Sequence, residues 1–213
     1  MVIPRLAKPE TGSRLVQCQP SSFSWVGRSV SRRMPYKICL AGDPMVGKTS
    51  LIRRYVKDEF SDKYLITIGT KVTKKSMDLE AKGARRKFDF LVWDIIGDPM
   101  LRPFLKDSYF YGARGVLLVC DVTRRVTLDN LPYWWRTITS VCGPVPTVAV
   151  MNKVDLVGQE DFTREDLRAR AEPAGWTYLT ASAKSGEGVQ AAFEFLGRLV
   201  VTTRPPRRPS APS

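Results

Sequence analysis

Residues 42–50 read Gly-Asp-Pro-Met-Val-Gly-Lys-Thr-Ser. Two glycines bracket a short loop, and a lysine and two hydroxyls follow the second. Gly42 and Gly47 can take backbone angles that a side chain forbids. The backbone of Asp43, Pro44, Met45, Val46 and Gly47 can therefore curl so that its N–H groups converge on an anion. Lys48 then brings a positive charge to the outer phosphates of a nucleotide. The Thr49 hydroxyl offers a ligand to Mg²⁺, with Ser50 beside it as the helix begins. By average composition, this pattern of Gly, Gly, Lys and Ser or Thr arises by chance in about one chain in a hundred of this length. The context lowers that figure, because an apolar run, Tyr36 to Ala41, feeds the loop and helical spacing, Leu51 to Val56, leaves it.

A second group, Asn152-Lys153-Val154-Asp155, stands just past an apolar run that ends at Met151. Guanine presents N1–H and an exocyclic N–H₂ side by side. Asp155 can accept both, and Asn152 can serve the N7/O6 edge. Adenine lacks that donor pair and would leave the carboxylate unpaired, at a cost of about 1–3 kcal/mol or more. Alone, the tetrapeptide is an ordinary polar turn; its place at a strand end is what gives it weight. A third group is Asp94, which closes the run Phe88 to Trp93 and has Gly97 three residues on. A carboxylate there can hold Mg²⁺ through water while the glycine N–H approaches a γ-phosphate. Asp-x-x-Gly by itself is a common turn.

These groups need a scaffold that brings loops from distant strands to one edge. The pattern predicts a strand over 36–41 and a helix over 48–57. Strands follow at about 70–79 and 87–93, joined by a short hairpin connection through Gly83. A helix is predicted at about 102–112. Gly115 to Asp121 and Val145 to Met151 are continuous apolar runs of the kind buried on both faces of a parallel sheet. Thr127 is expected to cap a helix running to about 141, with Pro132 in its first turns. Helices at about 163–172 and 187–201 flank a last strand at 176–180. Alternating strands and helices imply a three-layer α/β fold with a mostly parallel six-stranded sheet. The hairpin puts one antiparallel strand at its edge.

Length and composition bound the rest. The 213 residues suit one domain with tails, and a domain of about 150 residues buries roughly two-thirds of its unfolded surface. The chain has no histidine, which removes histidine acid–base chemistry, Ser-His triads and histidine metal sites. The four cysteines form no Cys-x-x-Cys pair, and a reducing, cytoplasmic setting fits them. No apolar run approaches the length of a membrane-spanning helix. The net charge is +13, unevenly placed. In residues 1–33, Arg5, Lys8, Arg14, Arg28, Arg32 and Arg33 stand against Glu10 alone. From residue 198 on, Arg198, Arg204, Arg207 and Arg208 meet no acid. Such tails could favour an anionic membrane surface or nucleic acid; solvated tails with no partner read equally well. Residues 1–33 are expected to be a disordered extension, with a transit peptide or an unused upstream start before Met34 as alternatives. Residues 34–201 form the expected domain and 202–213 a basic, Pro-rich tail.

The loop 42–49, Thr67, Asp94 to Gly97, Asn152 to Asp155, and Thr180-Ala-Ser182-Ala183-Lys184 together resemble the five guanine-nucleotide motifs of Ras-superfamily small GTPases, in order and spacing. The flavour is Rab-like in Trp93-Asp94-Ile-Ile-Gly97, Ser108 to Ala113, Leu118 to Thr123, and Trp134. The resemblance covers about residues 35–200 and implies the P-loop NTPase fold, binding of GTP and GDP with Mg²⁺, and GTP hydrolysis. It implies Thr49, Thr67 and Asp94 at the metal, and Lys48, Thr67, Gly97 and the residue at 98 around the reaction. Phe60 would lie against the guanine and Tyr64 over the phosphates. Lys153 and Lys184 would lay their stems along the base. The Ala183 N–H would meet O6, in the loop that Ser182 opens. Residues 58–70 and 94–106 would be two switches for effectors and regulators, ordered by the γ-phosphate. Tyr133, Trp134 and Trp135 are then expected to pack in and on a helix rather than stack on nucleic acid. No specific nucleic acid is expected, and the chain is expected to be a monomer.

The sequence departs from that family in two places. Asp98 stands where a glutamine usually orients the attacking water, so it brings negative charge toward a negative transition state and lacks the amide donor. Pro44 and Met45 replace small residues, and Pro44 removes one loop N–H. Slow intrinsic hydrolysis is the expectation, with a GTP-binding scaffold that does not turn over as the alternative. The final residues, Ser210-Ala-Pro-Ser213, hold no cysteine; no prenyl anchor is expected, and membrane contact at most weak and electrostatic.

Overall fold

A computed structural model of the chain describes residues 34–61, 70–81, 83–95 and 108–203. The chain divides into two units, Met1–Arg33 and Met34–Ser213, and the described residues belong to the second. The predicted helix at 102–112 lies mostly outside them, as do both tails.

Six strands form one sheet in the order β2-β3-β1-β4-β5-β6. They are β1 (Tyr36–Ala41), β2 (Lys71–Ala81), β3 (Ala84–Asp94), β4 (Gly115–Asp121), β5 (Thr147–Asn152) and β6 (Thr177–Thr180). All neighbours run parallel except β2 with β3. The predicted three-layer α/β architecture, with one antiparallel strand at the edge, is the observed one. Helices α1 (Lys48–Lys57), α2 (Arg125–Asp129), α3 (Leu131–Cys142), α4 (Arg164–Ala171) and α5 (Val189–Thr202), with a short 3-10 turn at Glu172–Ala174, flank the sheet.

Successive strand side chains point to opposite faces, and the sequence places two cores accordingly. On one face Ile38, Leu40, Leu117, Val119, Val148 and Val150 meet Leu51 and Ile52 of α1 and Phe193, Leu196 and Val200 of α5. On the other, Cys39, Ala41, Val116, Leu118, Ala149 and Met151 meet Leu131, Trp134 and Ile138 of α3 and Leu167 of α4. Tyr55 stacks on Phe193 with ring centroids 4.1 Å apart, locking α1 to α5. Each fully buried Val, Leu or Ile contributes about 1.5–3 kcal/mol, and both faces of β1, β4 and β5 carry buried apolar residues. That double burial fixes the central strands whose ends carry the site.

Two local expectations change. The hairpin is tighter than predicted: β2 runs to Ala81 and β3 begins at Ala84, with Gly83 at φ 71° in the turn. The register sets Asp78 opposite Lys87 and Glu80 opposite Arg85, and opposite charges across a ladder extend pairing that apolar counting ends too early. The helix predicted from Thr127 is two helices. Thr127 sits inside α2, where its hydroxyl accepts from the Asp121 N–H at 2.9 Å and donates to the Arg124 carbonyl at 2.7 Å. Asn130 then begins α3, and Pro132 falls in its first turn, where a missing N–H costs nothing. By contrast α4 carries a full capping box: Asp166 N–H donates to Thr163, and Thr163 N–H donates back to the Asp166 carboxylate.

Candidate functional site

β1 lies between β3 and β4, so chain connections diverge to either side of its end, and ligands bind at such a point in open α/β sheets. Residues 42–47 occupy that point. A Cβ on Gly42 would stand 2.2 Å from the Val119 carbonyl oxygen, and one on Gly47 would stand 2.3 Å from Asn152 Nδ2. Both also have positive φ, 143° and 95°. Close approach and backbone angle both demand glycine. Met45 carries a side chain at φ 64°, a left-handed conformation that disfavours it.

Lys48 is buried, and its ammonium donates to the Gly42 and Asp43 carbonyls at 2.8 Å each. Its charge is thereby folded back over the loop. The Asp43 carboxylate faces the other way, accepting from Trp134 Nε1 at 2.9 Å and Asn130 Nδ2 at 2.7 Å. The Asp43 carboxylate is thus engaged away from the loop's inner face. At the foot of the loop the Thr49 hydroxyl donates to Asp94 Oδ2 at 2.6 Å. Asp94 Oδ1 is buried with no hydrogen-bond partner among the described residues. Burial pushes the Asp94 carboxyl above its ordinary range, against the Thr49 hydrogen bond and the charges of Lys48 and Lys71. A hydroxyl beside an unsatisfied carboxylate oxygen is an oxygen donor set that fits Mg²⁺.

The second loop group closes on the first. Asn152 is buried at the end of β5. Its N–H₂ donates to the Val46 carbonyl at 2.8 Å, and its Oδ1 accepts the Ala183 N–H at 3.2 Å. The expectation gave this amide to the N7/O6 edge of a base, and the Ala183 N–H to O6. Here both groups join the phosphate loop to the loop after β6. Asp155 Oδ1 accepts the Ser182 hydroxyl at 2.6 Å, and Ser182 in turn accepts the Ser185 N–H at 3.0 Å. Lys153, at φ 68°, donates through Nζ to Asp121 Oδ2. Phe60, expected against the guanine, is partly buried against the first core cluster. The structure thus brings together the residues of 42–50, Asp94, Asn152 to Asp155, and Ser182 to Lys184. Tyr64, Thr67, Gly97 and Asp98 lie outside the described residues.

Three supports of the site carried no signal in the sequence. Arg54 of α1 donates to the Ala183 carbonyl at 3.0 Å and the Lys184 carbonyl at 2.6 Å, gripping the loop after β6. Asn130 holds Asp43 as described. Arg124 reaches the Pro44 carbonyl with Nη2 at 2.8 Å and Asp121 Oδ2 with Nε at 3.1 Å. Burial pushes the Asp121 carboxyl up, but hydrogen bonds from Lys153 and Thr123 outweigh it and hold the group below its ordinary value.

Among the described residues, no helix is long and apolar enough to cross a membrane. A family model described as Ras family matches residues 37–202. Over 159 residues the chain is 33% identical to Ras-related protein RABA4a of Arabidopsis thaliana, covering 74% of this chain and 68% of that protein. Over 175 residues it is 34% identical to GTP-binding nuclear protein GSP1 of Encephalitozoon cuniculi, covering 82% and 79%. Over 174 residues it is 31% identical to Ras-related protein Rab-13 of Bos taurus, covering 81% and 83%.

Proposed function

Because the chain belongs to the Ras family, as a Rab-like small GTP-binding protein and GTPase, we propose that it is a GTP/GDP switch whose own hydrolysis is slow. The observation that carries this reading is Asn152, which bonds the phosphate loop at Val46 to the Ala183 loop and so makes one site of two halves. Such a site takes phosphates at one end and a purine at the other. The pairing of Ser182 with Asp155 orients the carboxylate for the two adjacent donors of guanine.

Thr49, Thr67 and Asp94 are the residues proposed to hold Mg²⁺. When bound, the ion neutralises charge on the β- and γ-phosphate oxygens. Lys48 would trade its two carbonyl acceptors for phosphate oxygens. The Gly97 N–H would meet the γ-phosphate. Asp98 is the weak part. Its carboxylate is one methylene shorter than a glutamine side chain and repels charge building on the phosphoryl group. It can accept a hydrogen bond from water, but it has no donor to offer. An activating partner is worth about 10³–10⁵ in rate, a magnitude that belongs to the family rather than to this chain. That is roughly 4–7 kcal/mol of barrier, enough to restore turnover. Protein effectors and regulators would meet residues 58–70 and 94–106, the two segments a γ-phosphate would be expected to order.

The test is nucleotide binding followed by single-turnover hydrolysis. The purified protein should bind GTP and GDP in the presence of Mg²⁺ and leave ATP aside. Asp98→Gln should raise the single-turnover rate. An unchanged or lower rate would show that Asp98 is not what limits the reaction. Tight GTP binding with no turnover in either form would favour the scaffold reading, which Asp98 keeps open.

A further inference from the structure

We propose that Arg124 is a positioning residue that sets the phosphate loop by holding the Pro44 carbonyl, and so governs how tightly the outer phosphate of a bound nucleotide is kept. The proposal rests on the guanine-nucleotide reading above and adds a residue that no guanine-nucleotide motif contains.

The guanidinium is anchored before it acts. Nε donates to Asp121 Oδ2 at 3.1 Å, and Asp121 is only 1% exposed. The same carboxylate accepts from Thr123 N–H at 3.1 Å, Thr123 Oγ1 at 2.8 Å and Lys153 Nζ. With Nε fixed, the planar fork leaves Nη2 little freedom, and Nη2 donates to the Pro44 carbonyl at 2.8 Å.

That carbonyl is a point of control for a geometric reason. The Pro44 C=O and the Met45 N–H belong to one planar trans peptide and point in opposite directions. Holding the carbonyl toward Arg124 turns the Met45 N–H to the far side. Pro44 has no N–H of its own, so Met45 carries the first donor after Asp43 in this part of the loop. Met45 needs the help, because it sits at φ 64° with a side chain and is 54% exposed, so little packing compensates the strain. Rotation of the Pro44–Met45 peptide would relieve that angle and aim the N–H away from the anion. The charge-assisted bond from Arg124 opposes the rotation. Through Asp121 the same anchor also holds Lys153 of the base loop.

The experiment compares wild type, Arg124→Ala and Arg124→Lys, measuring GDP dissociation rate, GDP and GMP affinity, and melting temperature. Arg124→Ala should speed GDP release by about tenfold, the lower end for losing a hydrogen bond to a charged group. GMP has no outer phosphate, so its affinity should stay within about twofold. Arg124→Lys keeps the charge but cannot span Asp121 and Pro44 with one fork. It should melt like wild type and still release GDP faster. Equal losses for GDP and GMP would mark Arg124 as merely structural and overturn the proposal. So would unchanged GDP release in Arg124→Ala, or full restoration by lysine. A wild type that takes up no guanine nucleotide would overturn the functional reading together with this one, whereas the other outcomes strike this one alone.

Discussion

The two ends of the site are built on opposite principles. At the base end the polar groups described above are satisfied by the protein itself. Asn152 joins Val46 to Ala183, Ser182 holds Asp155, and Arg54 grips the carbonyls of Ala183 and Lys184. At the phosphate end the groups are held in less favourable states. Lys48 donates its buried charge to two neutral carbonyls, Asp94 Oδ1 has no hydrogen-bond partner among the described residues, and Met45 sits at a left-handed angle. A preformed shape suits selection, since a purine that fails to match it leaves buried polar groups unpaired. Groups whose contacts improve when a ligand arrives suit affinity, because binding removes part of their cost. The comparison teaches that selectivity and strength are separable here: the base loop chooses, and the phosphate loop holds.

Substitutions at the two ends should therefore fail differently. Lys48→Met should have the largest effect, lowering GDP affinity by about 100-fold, in line with losing charged hydrogen bonds to phosphate. The nucleotide-free protein should melt no lower than wild type, because burying an ammonium against neutral carbonyls gives little net stability. Fluorescent-nucleotide titration and a thermal melt of the stripped protein read the two quantities. A fall in melting temperature like that of a core cavity would make Lys48 a structural residue and break the comparison. Asn152→Ala should show the reverse order. It removes two buried bonds between loops and leaves the Val46 carbonyl and Ala183 N–H unpaired, costing about 2–3 kcal/mol of stability without ligand. Urea unfolding of the stripped protein measures it, and an unmoved midpoint would show that the base end is not self-supporting.

How much of this the sequence revealed follows from where each signal lies. Gly42, Gly47, Lys48 and Thr49 are legible because a loop's backbone demands sit within eight consecutive residues. The central strands are legible because burial on both faces leaves unbroken apolar runs such as Gly115 to Cys120. The role of the Asp43 carboxylate has no local signal, because its partners Asn130 and Trp134 lie 87 and 91 residues away. Arg54 and Arg124 are illegible for a related reason: they bond to distant backbone carbonyls, which carry no residue-type signature. Thr127 has the composition of a cap, a threonine before an apolar stretch, but its hydroxyl serves the end of β4 instead. Local chemistry is written in the sequence. Partners chosen by topology appear only when the strands are assembled.

The smallest expected effect probes the point where the two ends meet, Asp121. Its carboxylate takes Arg124 from the phosphate side and Lys153 from the base side. Burial favours the protonated form, but the bonds from Lys153 and Thr123 prevail and the group titrates below its ordinary 3.8. The unfolded chain then binds this proton more readily than the folded one. The carboxylate therefore contributes stability that is present above about pH 4 and is lost as the pH falls through the lowered value. Asp121→Asn keeps the shape and removes the charge. The stability difference between wild type and variant should be on the order of 1 kcal/mol and flat from pH 7 down to about 5, shrinking in more acid solution. Unfolding midpoints across that range decide it. A difference that grew on acidification would mean that the folded state holds this proton more tightly, and Asp121 could not then be the ionised tie between Arg124 and Lys153.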